Sequence, residues 1–233
     1  MKFRLLRADE IDCRISTCNK WGVGLLLYKD ARCDQNILDE KVGAMNWQRH
    51  HLRDNANCVV SIWDSEKQQW IEKEDTGTES FTEKEKGLAS DSFKRACFNW
   101  GIGRELYTAP NMFVLSKDLK THKQEDLKWT CKDSFKVTEI EYIDEKIVYV
   151  KIINLKNNNV IEFGMPAKEN AEQKKIENSV INEVKVKALI ARCEKENVET
   201  NKILQLYKVS SLADLTEKQY VNIIEHWEKI KEA

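Results

Sequence analysis

The stretch TEKEKGLASDSFKRACFNWGIGRELY, residues Thr82 to Tyr107, decides the fold. Thr82 with Glu85 three positions on is a capping box, in which each side chain satisfies an orphaned backbone N–H at a helix start. Ala89, Phe93, Ala96, Cys97 and Trp100 recur at helical spacing and form a core face. Lys84, Gly87, Asp91, Lys94 and Arg95 fall on the opposite side. Gly101 and Gly103 end the helix, because glycine adopts the left-handed conformation that a helix C-terminus favours. Gly87, Ser90, Asp91 and Ser92 are poor choices for an exposed helix, where glycine alone costs roughly 1 kcal/mol relative to alanine. Such small residues point to a close approach by something else.

Working back from this helix, 46–54, 56–64 and 69–76 are rich in Trp, Val, Ile and His and are separated by turn-forming residues, so they read as three antiparallel strands. Alternation puts Trp47, Arg49, His51 and Arg53 on one face of the first strand. A β-β-β-α unit results, with the apolar helix face covering the sheet. Before it, 36–43 reads as a short helix ending at Gly43, 9–15 as a short helix, and 21–28 as a buried strand or turn. Beyond it, 117–133 reads as a polar loop. The segments 135–142, 147–155 and 160–163 form a second meander, with turns at 143–146 and 157–159.

Residues 165–178 carry a proline, many charges and no aromatic ring, and read as a linker. The expected organisation is therefore an α+β domain over 1–165, a linker over 166–178 and a small three-helix partner-binding domain over 179–233. In the last, Val180, Val184, Ala188, Ile190 and Ala191 form one apolar stripe, and Ile203, Leu204, Leu206 and Tyr207 a second. Thr216 with Gln219 makes another capping box, stapled by Leu215 and Tyr220, that opens a final helix over 217–230.

The 233 residues carry 38 basic and 39 acidic side chains, so no whole-molecule field announces a polyanionic partner. Eight of the nine arginines nevertheless lie within the first 104 residues, and the planar guanidinium fork suits phosphate. Seven irregularly spaced cysteines without a signal peptide predict a reducing, cytoplasmic setting. No apolar run reaches the roughly 18 residues of a membrane span.

Phosphate-loop, dinucleotide-binding, HExxH and GxSxG motifs are all lacking, which argues against ATP-driven and serine-hydrolase chemistry. His50 and His51 are adjacent on a strand, point to opposite faces and cannot share a metal. Asp144-Glu-Lys146 and Asp118-Leu-Lys120 match the acidic-x-Lys element of magnesium-dependent nucleases, but turns select the same residue types. The reading is a non-enzymatic protein without a cofactor. A magnesium-dependent nuclease using Asp144 or Glu145 and a pure adaptor protein are the alternatives.

The succession YKDAR (28–32), ILDEKVG (37–43), Asn46-Trp47, GLASDSFKRA (87–96) and WGIGRELY (100–107) resembles the Sak-type phage single-strand annealing proteins, which are similar in turn to the eukaryotic Rad fifty-two recombination mediators. The likeness covers roughly residues 10 to 113. It implies ATP-independent binding of single-stranded DNA and annealing of complementary strands in homologous recombination, by a homo-oligomeric ring in the cytoplasm of a bacterial host cell. On this resemblance Lys94, Arg95 and Arg32 hold the DNA backbone, with Lys29, Arg49, Arg53 and Arg104 as further basic candidates. Phe98 stands where relatives often carry another basic residue. Small helical modules like 179–233 recruit a host single-strand-binding protein or a phage exonuclease in related annealing proteins.

Overall fold

A computed structural model describes residues 1–78 and 84–232. The chain forms two compact units, Met1–Ala167 and Lys168–Ala233. The architecture is α+β, as expected, with helices and antiparallel sheets.

In the first unit, β1 (Asp12–Asn19) and β2 (Gly22–Tyr28) form a hairpin. Helix α1 (Ala31–Val42) follows, then β3 (Trp47–Leu52), β4 (Asn57–Asp64), β5 (Gln69–Thr76) and α2 (Lys84–Trp100). Next come β6 (Phe113–Leu115), a small hairpin of β7 (Lys123–Glu125) and β8 (Lys128–Thr130), and the meander β9 (Phe135–Ile143), β10 (Lys146–Asn154) and β11 (Val160–Gly164). The three predicted central strands are present, although β3 ends at Leu52, two residues earlier than predicted, and Arg53 joins the turn. Thr82 of the predicted capping box lies outside the described residues.

Strands β3, β4 and β5 form one sheet in sequence order. Helix α2 covers it, burying Phe93, Ala96 and Cys97 with Cys58, Val60 and Ile62 of β4. Trp47 stacks on Phe93 with ring centroids 6.1 Å apart, and the Trp100 indole N–H donates to the Val60 carbonyl at 3.0 Å. The second meander does not stand alone. It joins the first hairpin in a six-stranded antiparallel sheet, ordered β11-β10-β9-β1-β2-β6, through the pairing of Asp12 with Lys136 and Cys13 with Phe135.

Several expectations are corrected. Residues 9–15 are not a helix: a single 3-10 turn over Ala8–Glu10 gives way to β1, where half-buried Cys13 and Ile15 alternate with exposed Asp12, Arg14 and Ser16. Helix α1 starts earlier than predicted, because the Asp30 carboxylate accepts the Cys33 N–H at 2.9 Å and caps it. The stretch 117–133 is not a plain loop, since it contains the β7-β8 hairpin. Asp144 and Glu145 are the two positive-φ residues of the β9-β10 turn, and Glu145 pairs with Lys2. That geometry matches the turn reading of the acidic-x-Lys triplet.

The 165–178 segment, expected as a linker, contains helix α3 (Ala167–Asn178). Its Ala, Glu, Gln and Lys are strong helix formers, so a helix forms although no residue in it is buried. The second unit continues with α4 (Glu183–Glu196), α5 (Thr200–Tyr207), α6 (Glu217–Glu225) and α7 (Trp227–Glu232) around a core containing Leu189, Ile203, Leu215, Ile223 and Trp227. The Thr216–Gln219 capping box is present, with bonds of 2.8 and 3.3 Å. The predicted final helix is broken at His226, whose backbone leaves helical geometry (φ −112, ψ 24) and whose ring Nδ1 lies 3.1 Å from the Asn222 carbonyl. The first apolar stripe was misphased: Val180 and Val184 are exposed, while Leu189 and Cys193 face the core. Of the second, Ile203 is buried and Leu206 exposed. Among the described residues, no helix is long and apolar enough to cross a membrane.

Candidate nucleic-acid interface

The basic residues singled out in the sequence have different surroundings. Lys94, on α2, lies in the wall of a cleft of about 210 Å³ bounded by β2, α2 and the 3-10 turn Arg104–Thr108. Its side chain is 25% exposed and its ammonium stands 3.9 Å from the Asp91 carboxylate. Arg95 turns instead toward β5, where its Nε lies 3.5 Å from Asp75. The pair was expected to project freely from one helix face; each member instead meets an acid from its own unit. Such partly exposed ion pairs are worth only about 0–1 kcal/mol, so a phosphate can compete for either cation.

Arg32 is highly accessible, with 86% of its side chain exposed and Asp30 3.9 Å away. Arg49 lies on the β3 face that meets α2, its guanidinium 4.8 Å from the centre of the Phe93 ring. His51, on the same face, has its pKa lowered, by burial first and then by the positive charge of Arg49. Arg53 does not extend that face. It opens a left-handed turn through Asp54 and Asn55, past the end of β3, and is exposed.

Two candidates are corrected more strongly. Lys29 is buried, with its side chain 1% exposed, and forms an ion pair with Asp34. Its ammonium lies 4.7 Å from the centre of the Phe98 ring, and Gly103 packs on its stem. A Cβ at Gly103, where φ is +78, would fall 2.2 Å from Lys29 Cε, so only glycine fits. Lys29 is thus an internal charge compensating a buried carboxylate. Desolvation raises the Asp34 pKa, and the Lys29 charge opposes that rise. Arg104 caps α2: its Nε donates to the Phe98 carbonyl at 2.5 Å and its Nη2 to the Asn99 carbonyl at 2.8 Å. Lys73 donates to the same Asn99 carbonyl at 2.6 Å. These bonds satisfy carbonyls that the helix end would otherwise leave open.

The cleft also contains residues that the sequence reading missed. Arg14, exposed on β1, places its guanidinium 5.6 Å from the centre of the Tyr28 ring. Phe98 and Tyr107 meet edge to face at 5.5 Å, and Tyr107 is 75% exposed. The available signal for Arg14 was the period-two pattern of β1, masked by the acidic residues ahead of it. Tyr107 was visible only as the last residue of the WGIGRELY motif.

Compared with known proteins, the chain matches no family model, no curated protein and no solved structure. Among the described residues, no group of three or more His, Cys, Asp or Glu side chains is gathered as a metal site.

Proposed function

We propose that this protein binds single-stranded DNA and anneals complementary strands without ATP, acting as a homo-oligomeric ring in homologous recombination, in the cytoplasm of a bacterial host. The observation that carries this reading is the cleft, where Arg14 and Lys94 accompany the rings of Tyr28, Phe98 and Tyr107. Cations that track a backbone together with aromatic faces are the combination used for sequence-tolerant binding of single strands. Arg32 on α1 and Arg95 on α2 add accessible charge beyond the cleft. Annealing needs no covalent chemistry, only strands held by phosphate with base edges left available. A ring multiplies such weak sites through effective concentration, which reconciles a near-neutral chain with tight binding.

The test is single-strand affinity measured across a salt series, followed by annealing in EDTA without nucleotide. Lys94→Ala and Arg95→Ala are each expected to weaken binding about tenfold, since a charge-assisted hydrogen bond contributes about 1.5 kcal/mol. Each should also lower the slope of log affinity against log salt by about 0.7. Unchanged affinity and slope in folded variants would remove these residues from the interface. An absolute need for magnesium, with strands shortened, would point to the nuclease alternative instead.

The second unit has its own core and an open groove containing Ile190, Val198, Leu204 and Leu212, a surface suited to a partner's peptide. We infer that it recruits a single-strand-binding protein or an exonuclease. A chain ending at Ala167 is expected to anneal naked DNA as before yet fail on DNA coated with single-strand-binding protein; equal activity on both would rule out this recruiting role.

A further inference from the structure

We propose that the cleft between β2, α2 and the Arg104–Thr108 turn stacks one nucleobase of the bound strand against its aromatic side chains. This rests on the DNA-binding reading above and specifies which part of the strand enters the site.

The volume of about 210 Å³ is below the roughly 300–1,000 Å³ of pockets that enclose drug-sized ligands, so it suits one ring system rather than a whole nucleotide. Three of the lining side chains are aromatic, Tyr28, Phe98 and Tyr107. Tyr107 meets Phe98 through an edge contact rather than a stack, and Tyr28 is 37% exposed. Three rings around a small cleft form a stacking site rather than a phosphate site, since a phosphate has no π-face to offer them.

Lys29 backs the cleft from inside: its side chain is 1% exposed, paired with Asp34 and set against the Phe98 ring, so it supports the aromatic wall and does not itself reach a base. Arg14 and Lys94 lie in the same cleft, where they can meet the phosphates on either side of a seated base. The division of labour is specific: charge at Lys94 and Arg14 for the backbone, rings for the base.

The test compares a natural oligothymidylate with an abasic strand of equal length and charge, using the full chain and its Tyr107→Ala and Tyr107→Phe variants. Tyr107 is exposed, so its replacement leaves the fold intact. Loss of one stacked base is worth about 1–3 kcal/mol, so Tyr107→Ala is expected to weaken oligothymidylate binding about 5- to 150-fold, with the salt slope unchanged. Tyr107→Phe should restore most of the affinity. The abasic strand should bind the unmodified protein no better than oligothymidylate binds Tyr107→Ala. A 2-aminopurine in the natural strand should lose fluorescence on binding, as stacked bases do, and regain it with Tyr107→Ala. Equal affinity for natural and abasic strands would overturn the base pocket while leaving the phosphate-binding reading in place. Binding of neither strand would overturn both.

Discussion

Replacing Gly77 with alanine is expected to destabilise the first unit by about 3 kcal/mol, at the upper end of the cost of overpacking a close contact. A Cβ at this position would lie 2.5 Å from the Ser92 backbone nitrogen, 2.8 Å from the Leu88 carbonyl oxygen and 2.9 Å from Ser92 Cα. All three are backbone atoms of α2, so no flexible side-chain tip can swing aside. Moving the helix away would uncover Phe93, Ala96 and Cys97, which it buries. Moving Gly77 instead would break its N–H bond to the Ala56 carbonyl, 2.8 Å, and the two bonds that Thr78 makes to Asp91 at 2.9 and 3.2 Å. Urea unfolding should show the loss directly. A thermal scan should show a fall of about 6–12 °C, from the 2–4 °C per kcal/mol usual for a unit of this size. A change below 1 kcal/mol would mean that the crossing of Gly77 over α2 is not a tight constraint.

That crossing also explains the small residues of α2. The sequence pattern around Gly87 to Ser92 indicated a close approach by something else. Within the protein, the chain itself makes an approach, at Gly77 over Leu88 and Ser92. Ser92 is fully buried and donates to the Asn55 carbonyl at 3.0 Å, tying the β3-β4 turn to the helix.

Local signals were legible where local chemistry decides the outcome. Alternation and turn residues located β3, β4 and β5, the glycines ended α2 at Trp100, and the Thr216 box opened α6. Long-range outcomes were not legible. Nothing near Asp12 indicates that it pairs with Lys136, so the first hairpin and the second meander looked like separate pieces. Lys29 read as a surface cation because its compensation comes from Asp34, a residue inside a helix whose start was placed too late. Arg104 read as a ligand-binding arginine although its position just past a helix end already favoured a capping role. Of the cleft's three basic residues, Lys29 and Lys94 were found and Arg14 missed: Lys94 sits on a strongly periodic helix, whereas Arg14 sits on a strand read as helix.

Asp133 is the residue whose loss should cost most, about 4 kcal/mol on replacement by alanine, because removing a buried charged hydrogen-bond partner leaves several donors unsatisfied. Its carboxylate accepts from the Lys120 N–H at 2.7 Å, the Thr121 N–H at 2.9 Å, the Thr121 hydroxyl at 2.6 Å and the Asn154 amide at 2.6 Å. Asn154 is fully buried at the end of β10, so the Asp133 side chain, with the contacts of His122 to Asn19 and Asn157 to Asp118, anchors the 117–133 stretch to the six-stranded sheet. Burial alone would raise the carboxyl pKa, but the hydrogen bonds from Thr121, Lys120 and Asn154 outweigh it and hold the group below its ordinary value. A carboxylate depressed in the folded state contributes stability above its unfolded pKa of about 3.9 and loses that contribution as the pH falls through the folded value. The stability gap between the native protein and Asp133→Ala, read from urea unfolding, should therefore be largest near neutrality and narrow below about pH 4. Asp133→Asn should fall between them at neutrality, because one acceptor oxygen survives while the new amide faces N–H donors. A gap that stayed constant from pH 7 down to pH 3 would mean that the charge of Asp133 plays no part, leaving only its shape to hold the segment.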